Sequence, residues 1–162
     1  VCNKYKDDGR NPIGLDAEFL SNLFDKLVPH YTVIYNRPLH KNITHDESGQ
    51  IKIGDFNLIK NNFPQVIDIN HLHSQNTDLS FNTMQMMLLA NADHFISCQG
   101  GSSILCSYFG GTNIIYAYEG KELDVGSYKR WYHQLSGAKV MHASTTKEII
   151  NYVNSYFLPS DV

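Results

Sequence analysis

Hydrophobic positions along the chain change their period several times, and each change predicts a new secondary-structure element. Over residues 15–30 the apolar positions recur every three to four residues, which is typical of one helical face. Residues 31–35 are β-branched and aromatic, which predicts a strand that ends before Pro38. A shorter helix pattern at Asp55–Asn62 and a strand pattern at 66–69 follow.

The second half of the chain alternates strand and helix patterns with short joints between them. In chain order these are a helix at 81–91, a strand at His94–Cys98, a helix at 104–109, a strand at 113–118, a helix at 127–135, a strand at 138–142 and a helix at 145–157. Ser80 is placed to cap the first of these helices, and Thr145 with Glu148 forms a capping box for the last. The alternation predicts one Rossmann-like α/β domain over residues 1–162, a doubly wound, mostly parallel sheet with helices on both faces in a three-layer sandwich.

Composition and charge narrow the class of partner. The chain has 162 residues, a net charge of −3 and a sequence pI near 6.2. Because nucleic-acid binders and membrane-surface binders carry basic faces, we expect neither nucleic acid nor a membrane surface as partner. No run approaches 18 apolar residues, so the sequence predicts no membrane span.

The cysteines and the first residues bear on the compartment and on the origin of the chain. Cys2, Cys98 and Cys106 are an odd number, which argues against a disulfide framework and favours a reducing, cytoplasmic location. The chain begins with Val rather than Met and shows no basic and apolar leader. Its first five residues are typical of the end of a strand. We therefore expect a domain excised from a longer chain.

A glycine-rich turn, QGGSS at residues 99–103, follows the strand pattern His94–Cys98. In open α/β sheets ligands bind beyond the carboxyl ends of the strands. Glycine lets the backbone approach a ligand closely, and the N–H groups of the following helix suit a phosphate or diphosphate. The same residues also make an ordinary tight joint with a good helix cap, so the turn alone leaves both interpretations open.

Other phosphate and nucleophile motifs are missing from the sequence. The glycine pair of the turn does not begin a G-x-G-x-x-G dinucleotide fingerprint. Gly120-Lys121 is followed by Glu122 rather than Ser or Thr, which excludes a P-loop. The serines of the turn lack the G-x-S-x-G spacing of a hydrolase nucleophile elbow.

The run from residue 91 to residue 119, NADHFISCQGGSSILCSYFGGTNIIYAYE, resembles the donor-binding half of glycosyltransferases built from two Rossmann domains (the GT-B type). The wider chain is similar to uncharacterised glycosyltransferases of bacteria and large viruses. The resemblance implies that Gly100, Gly101, Ser102 and Ser103 hold the diphosphate of a nucleotide sugar. It also implies that Glu119, after the next strand, binds hydroxyls of the ribose or sugar.

The same resemblance assigns Gln99 to the donor site. Many members have His at this position. An amide keeps the hydrogen bonding but cannot change its charge, so we expect Gln99 to bind the donor rather than to transfer a proton.

Three residues of the first half are further candidates for donor binding. Arg37 follows a strand pattern and precedes Pro38, and its guanidinium suits bidentate phosphate contact, as in the fucosyltransferase-type enzymes it resembles. The alternative for Arg37 is a surface position paired with Asp46 or Glu47. Asn36, beside Arg37, is a weaker candidate for the same role. Lys4 is also weaker, because a solvated loop residue is the favoured interpretation there.

No metal or cofactor is expected. His71 and His73 are spaced for one face of a strand, but no Cys or carboxylate spacing accompanies them, so surface histidines are the favoured interpretation. The chain contains no Asp-x-Asp motif, and GT-B enzymes need no bound metal. The aromatic segment at residues 116–132 suits either stacking on a sugar or base, or covering the end of a sheet, and the second is favoured.

The function that these residues predict is metal-independent transfer of a sugar from a nucleoside diphosphate to an acceptor hydroxyl, such as that of a glycan. The resemblance implies a second Rossmann-like domain in the parent chain, which would supply the catalytic base. Two alternatives remain open. One is a sugar-nucleotide-processing enzyme such as an epimerase, and the other is a non-catalytic binding or assembly domain of the same fold.

Overall fold

The computed structural model of the chain describes residues 1–4, 6–7, 14–42 and 49–159. The chain divides into two compact units: Val1 with Asn3–Met87 forms the first, and Cys2 with Leu88–Val162 forms the second. Each unit contains parallel strands joined through helices, which confirms the expected Rossmann-like α/β class. The expectation of one domain over residues 1–162 stays a prediction.

The first unit contains short strands and helices, and its last helix continues into the second unit. In chain order these elements are β1 (Lys6–Asp7), α1 (Ala17–Leu27), β2 (Ile34–Tyr35), β3 (Gly49–Gln50), α2 (Asp55–Asn62), β4 (Ile67–Asp68), α3 (Ile69–Gln75) and α4 (Phe81–Ala90). β2 pairs with β4 in parallel, with Ile34 opposite Ile67, and β1 pairs with β3 antiparallel. The backbones of Val1 and Asn3 hydrogen-bond to Asn36, directly after β2.

Helix α1 has the apolar stripe that the sequence predicts, and a cap at Asp16 begins it. The Asp16 side chain accepts a hydrogen bond from the backbone N–H of Phe19 at 2.8 Å, which satisfies a donor that the helix itself leaves open. The buried residues of the helix lie on one face and are Leu20, Leu23, Phe24 and Leu27. Phe24 contacts Tyr35 and Phe63 edge to face, so the helix packs on β2 and on the end of α2.

The strand predicted at residues 66–69 is shorter in the structure, because a helix begins within it. The Asp68 side chain accepts from the backbone N–H of Asn70 at 2.9 Å and caps α3. His71 and His73 therefore lie on a helix, and their predicted position on one face of a strand is wrong. A local side-chain cap outweighed the strand pattern at this point.

The second unit is built around a three-stranded parallel sheet. Its elements are β5 (His94–Cys98), α5 (Gly101–Tyr108), β6 (Thr112–Tyr116), α6 (Lys121–Asp124), α7 (Ser127–Arg130), a 3-10 turn (Tyr132–Gln134), β7 (Lys139–Ala143) and α8 (Thr146–Tyr156). The strand order is β5-β6-β7, and Ile96, Ile114 and Met141 stand in register across it. Cys2 forms an isolated parallel bridge with Ser97.

Two apolar clusters pack on this sheet. One contains Cys2, Leu89, Phe95 and Cys106, with Leu105 and Phe109 of the α5 region against it. The other is formed by Ile115 and Ala117 of the β6 region and two tyrosines, Tyr128 and Tyr132. Strands buried on both faces read as continuous apolar runs, which is why their position was predictable.

Several element boundaries in the second unit differ from the predicted ones. The helix predicted at 104–109 begins three residues earlier, at Gly101, because the glycine turn itself is the helix start. The helix predicted at 127–135 divides into α7 and the 3-10 turn, and α6 was not predicted. β6 ends at Tyr116, two residues before the predicted end.

Two predicted helix caps are confirmed. Ser80 accepts from the backbone N–H of Thr83 at 3.1 Å, and Thr145 accepts from that of Glu148 at 3.2 Å. The return bond of the predicted capping box is displaced by one residue, because the Glu148 carboxylate accepts from the backbone N–H of Ser144 at 2.6 Å. Among the residues that the structure describes, none of the helices has both the length and the apolar character needed to cross a membrane.

Candidate functional site

The candidate site is the turn between β5 and α5 in the second unit. Gly100 caps the helix with φ 118° and ψ −158°, a conformation that residues with a Cβ rarely adopt. The helix starts at Gly101, so the backbone N–H groups of Gly101 and Ser102 have no acceptor within the helix. Those of Ser103 and Ile104 donate to the Gly100 carbonyl at 3.0 and 3.3 Å. A Cβ built on Gly100 or Gly101 would meet no atom within 4 Å. The turn therefore presents backbone donors beside open space.

A buried hydrogen-bond network holds this turn from the sheet side. Asn113 on β6 donates from Nδ2 to the Ser103 carbonyl at 3.1 Å and to Ser107 Oγ at 3.0 Å. Its Oδ1 accepts from Ser97 Oγ at 2.8 Å. All four residues are completely buried, and each side chain takes part in the network. The network fixes the first turn of α5 against β5 and β6.

Ser103 acts within the turn itself. Its hydroxyl donates to the Gly100 carbonyl at 2.8 Å, and the residue is completely buried. Its single proton is therefore used inside the protein, and Ser103 positions the Gly100 peptide. The expected contact of its hydroxyl with a diphosphate stays a prediction that this geometry does not favour. Ser102, the neighbouring residue, is half-buried.

Gln99, directly before the turn, is engaged by the start of α6. Its Nε2 donates to Glu122 Oε2 at 2.8 Å. Its Oε1 is buried and has no hydrogen-bond partner among the described residues. Gly120 passes so close that a Cβ at this position would overlap the Gln99 amide nitrogen. A side chain at position 120 would displace the Gln99 amide, and the φ of 114° there also favours glycine.

Two tyrosines lie beside this pair. Tyr128 and Tyr132 pack edge to face with ring centroids 5.1 Å apart, and each is 5% exposed. Neither hydroxyl has a hydrogen-bond partner in the described part of the chain. Burial, the Glu122 carboxylate and Tyr132 together raise the pKa of Tyr128 well above its ordinary value. Burial also raises the pKa of Tyr132, and the nearby Ser103 side chain opposes part of that rise. Both hydroxyls therefore keep their protons at neutral pH.

Glu119 does not lie with the carboxylate that contacts Gln99. It is exposed, beyond the end of β6. Glu122, three positions further along the chain, is the carboxylate that contacts Gln99. The role expected of Glu119 toward ribose or sugar hydroxyls stays a prediction. Glu122, rather than Glu119, is the carboxylate next to the Gly100 turn.

The remaining expected site residues belong to the first unit. Arg37 is 3% exposed and forms a buried ion pair with Asp55, so it is not a surface residue. Asp46 and Glu47, its expected alternative partners, lie outside the described residues. Asn36 is buried, and its Oδ1 accepts from Gln85 Nε2 at 3.2 Å. The backbone N–H of Lys4 donates to the Asn3 side chain at 2.8 Å. The donor-binding roles expected of these residues stay predictions.

Glu122, Tyr128 and Tyr132 were not among the expected site residues. The aromatic content of residues 116–132 was visible in the sequence, but covering a sheet end explained it equally well. Its distinguishing feature is the absence of partners for buried hydroxyls, which only coordinates reveal. Over residues 1–4, 6–7, 14–42 and 49–159, no group of three or more His, Cys, Asp or Glu side chains is arranged to hold a metal ion.

Comparison of the chain with protein-family models, curated proteins and solved structures found no match in any of the three.

Proposed function

We propose that the second unit binds the diphosphate of a nucleoside-diphosphate sugar at the Gly100 turn, as the donor-binding part of a metal-independent glycosyltransferase. The observation that carries the proposal is the open space over Gly100 and Gly101 at the start of α5. Backbone N–H groups at a helix N-terminus, with the positive end of the helix dipole, are a suitable site for a phosphate anion.

The chemistry follows from the charge that develops during transfer. When the glycosidic bond breaks, negative charge grows on the leaving diphosphate, and fixed N–H donors stabilise that charge without reorganisation. The network of Asn113, Ser103 and Ser107 keeps these donors in place. The base that deprotonates the acceptor hydroxyl is not assigned to any residue of this site.

Calorimetric titration with UDP, GDP and inorganic diphosphate tests the proposal. Gly101 is the residue to change, because its φ is not positive and a side chain there would enter open space rather than the protein. We expect Gly101→Val to fold normally and to weaken nucleotide binding at least about tenfold, which corresponds to about 1.4 kcal/mol.

The matched control is Asn154→Val, which adds the same side chain at an exposed position of α8. It should leave nucleotide affinity unchanged. Failure of the unchanged protein to bind any of the three compounds would overturn the donor-binding proposal and favour a non-catalytic module. Equal affinity in Gly101→Val would place the nucleotide elsewhere.

A further inference from the structure

Unsatisfied buried polar atoms are concentrated at one place in the second unit. In the part of the chain that the structure describes, the buried side-chain oxygens or nitrogens without a hydrogen-bond partner are Gln99 Oε1 and the hydroxyls of Tyr128 and Tyr132. Glu122 connects them, because it accepts from Gln99 and its charge acts on both tyrosines. We name Gln99, Glu122, Tyr128 and Tyr132 the tyrosine cluster.

Leaving such atoms unpaired is costly. A buried polar group without a partner loses about 1–3 kcal/mol relative to a satisfied one, and folded proteins pair nearly all of them. The neighbouring network around Asn113 shows that this fold satisfies polar side chains that are equally buried. The unpaired atoms of the tyrosine cluster therefore point to a partner beyond the residues that the structure describes.

We propose that the tyrosine cluster is a subsite for a hydroxyl-bearing group, such as the sugar of a sugar nucleotide held at the Gly100 turn. Gln99 Oε1 and the Glu122 carboxylate only accept hydrogen bonds, so they suit a group that carries donors such as hydroxyls. The hydroxyls of Tyr128 and Tyr132 can donate to the oxygens of the same group. A polyol presents both kinds of partner together, whereas an apolar group or a second phosphate presents neither set in full.

The location of the cluster supports this assignment. Gln99 directly precedes the Gly100 turn, and the 3-10 turn that begins at Tyr132 contacts α5. The subsite therefore adjoins the position proposed for the diphosphate, and in this respect it rests on the proposed function. The hydroxyls are covered in the free protein, so the α6 segment, joined to Gln99 through Glu122, has to move aside when the hydroxyl group enters.

Two substitutions that remove single hydroxyls test the subsite. Tyr128→Phe and Tyr132→Phe keep the ring packing, and Tyr152→Phe on α8 is the control. Calorimetry compares UDP with UDP-glucose and GDP with GDP-mannose. We expect at least one sugar nucleotide to bind more tightly than its nucleotide. In each cluster variant the ratio of sugar-nucleotide affinity to nucleotide affinity should fall at least about fivefold, while the affinity for the nucleotide alone stays unchanged.

A second readout needs no nucleotide. If the hydroxyls are unpaired in the free protein, Tyr128→Phe and Tyr132→Phe should leave the urea unfolding midpoint unchanged or raise it. A lower midpoint than that of Tyr152→Phe would mean that the hydroxyls already have partners, such as bound water, and would overturn the subsite.

The two proposals fail in different ways. If UDP and GDP bind but neither sugar adds affinity, or if both cluster variants keep the added affinity, the subsite is wrong and the diphosphate site stands. If no nucleotide binds, the proposed function fails. The subsite is then tested by NMR titration of the protein with free glucose and mannose. Chemical-shift changes at the tyrosine cluster that disappear in Tyr128→Phe would support the subsite. The absence of such changes in the unchanged protein would refute it.

Discussion

Arg37 and Asp55 form a bidentate ion pair inside the first unit. Arg37 Nε lies 2.5 Å from Asp55 Oδ2 and Nη2 lies 2.7 Å from Oδ1, with the two side chains only 3% and 1% exposed. The Tyr35 hydroxyl donates to the same carboxylate at 2.6 Å, and Arg37 Nη1 donates to the Ile51 carbonyl at 2.9 Å. Burial and the nearby Asp55 raise the pKa of Tyr35 well above its ordinary value, so its hydroxyl remains a donor.

Asp55→Ala should destabilise the first unit strongly. The substitution leaves the Arg37 guanidinium buried without its counter-charge, and removing one partner of a buried pair costs about 3–5 kcal/mol. Urea unfolding followed by circular dichroism measures the change. Asp25→Ala, at an exposed position of α1, is the control and should change stability by less than about 0.5 kcal/mol.

The double variant Arg37→Met/Asp55→Leu separates the pair from the packing around it. Because both charges are removed together, we expect it to recover most of the stability lost in Asp55→Ala. A loss in Asp55→Ala no larger than that in Asp25→Ala would contradict the buried ion pair.

Asn113→Ala should loosen the Gly100 turn. The variant removes the acceptor of the Ser97 hydroxyl and one donor each from the Ser103 carbonyl and Ser107 Oγ, while Ser107 still donates to the Ser103 carbonyl. We therefore expect a loss of about 1–3 kcal/mol in unfolding free energy. Asn154→Ala, exposed on α8, should have almost no effect. Hydrogen exchange at the amides of α5 gives a local measurement, and unchanged exchange there would argue against a positioning role for Asn113.

Gly111→Ala should be more destabilising than Gly137→Ala. Both glycines have positive φ, 63° and 75°, so alanine is strained at both positions and costs about 1 kcal/mol or more. At Gly111 the added Cβ would also overlap the Asp93 carbonyl, whereas nothing lies within 4 Å at Gly137. The difference between the two unfolding midpoints therefore isolates the steric overlap, and equal midpoints would contradict the close approach of Gly111 to Asp93.

Glu148 should titrate at an unusually low pH. The backbone N–H and hydroxyl of Ser144 donate to its carboxylate and hold its pKa below the ordinary value of 4.5. A lowered pKa contributes stability above the ordinary pKa, and that contribution is lost as the pH falls through the lowered value. NMR titration of the Glu148 side chain measures the pKa directly. Ser144→Ala should raise it toward 4.5, and an unchanged pKa would show that the hydroxyl bond is unimportant.

Much of the fold could be predicted because its signals are local. The apolar stripe of α1, the continuous runs of β5 and β6 and the caps at Ser80 and Thr145 are all set by residues a few positions apart. Boundaries were less predictable where a single side chain decides them. Asp68 caps α3 within a strand pattern, and the Gly100 turn starts α5 three residues before the predicted helix.

The candidate site was predicted only in part. The glycine turn and Gln99 could be found because the sequence places them directly after a buried strand. Glu122, Tyr128 and Tyr132 could not, since nothing in their spacing indicates that Glu122 accepts from Gln99 or that the two hydroxyls lack partners. The carboxylate expected at Glu119 illustrates the same difficulty, because a shift of three residues separates an exposed side chain from one in the cluster.

By itself the sequence determined the order of the longer strands and helices and the place of the glycine turn, because hydrophobic period and turn chemistry act over neighbouring residues. Only the tertiary structure decided that Arg37 is buried against Asp55 and that Gln99 joins Glu122. Contacts between residues far apart in the chain depend on how the elements pack, and the desolvation that gives those contacts their energy exists only in the folded protein.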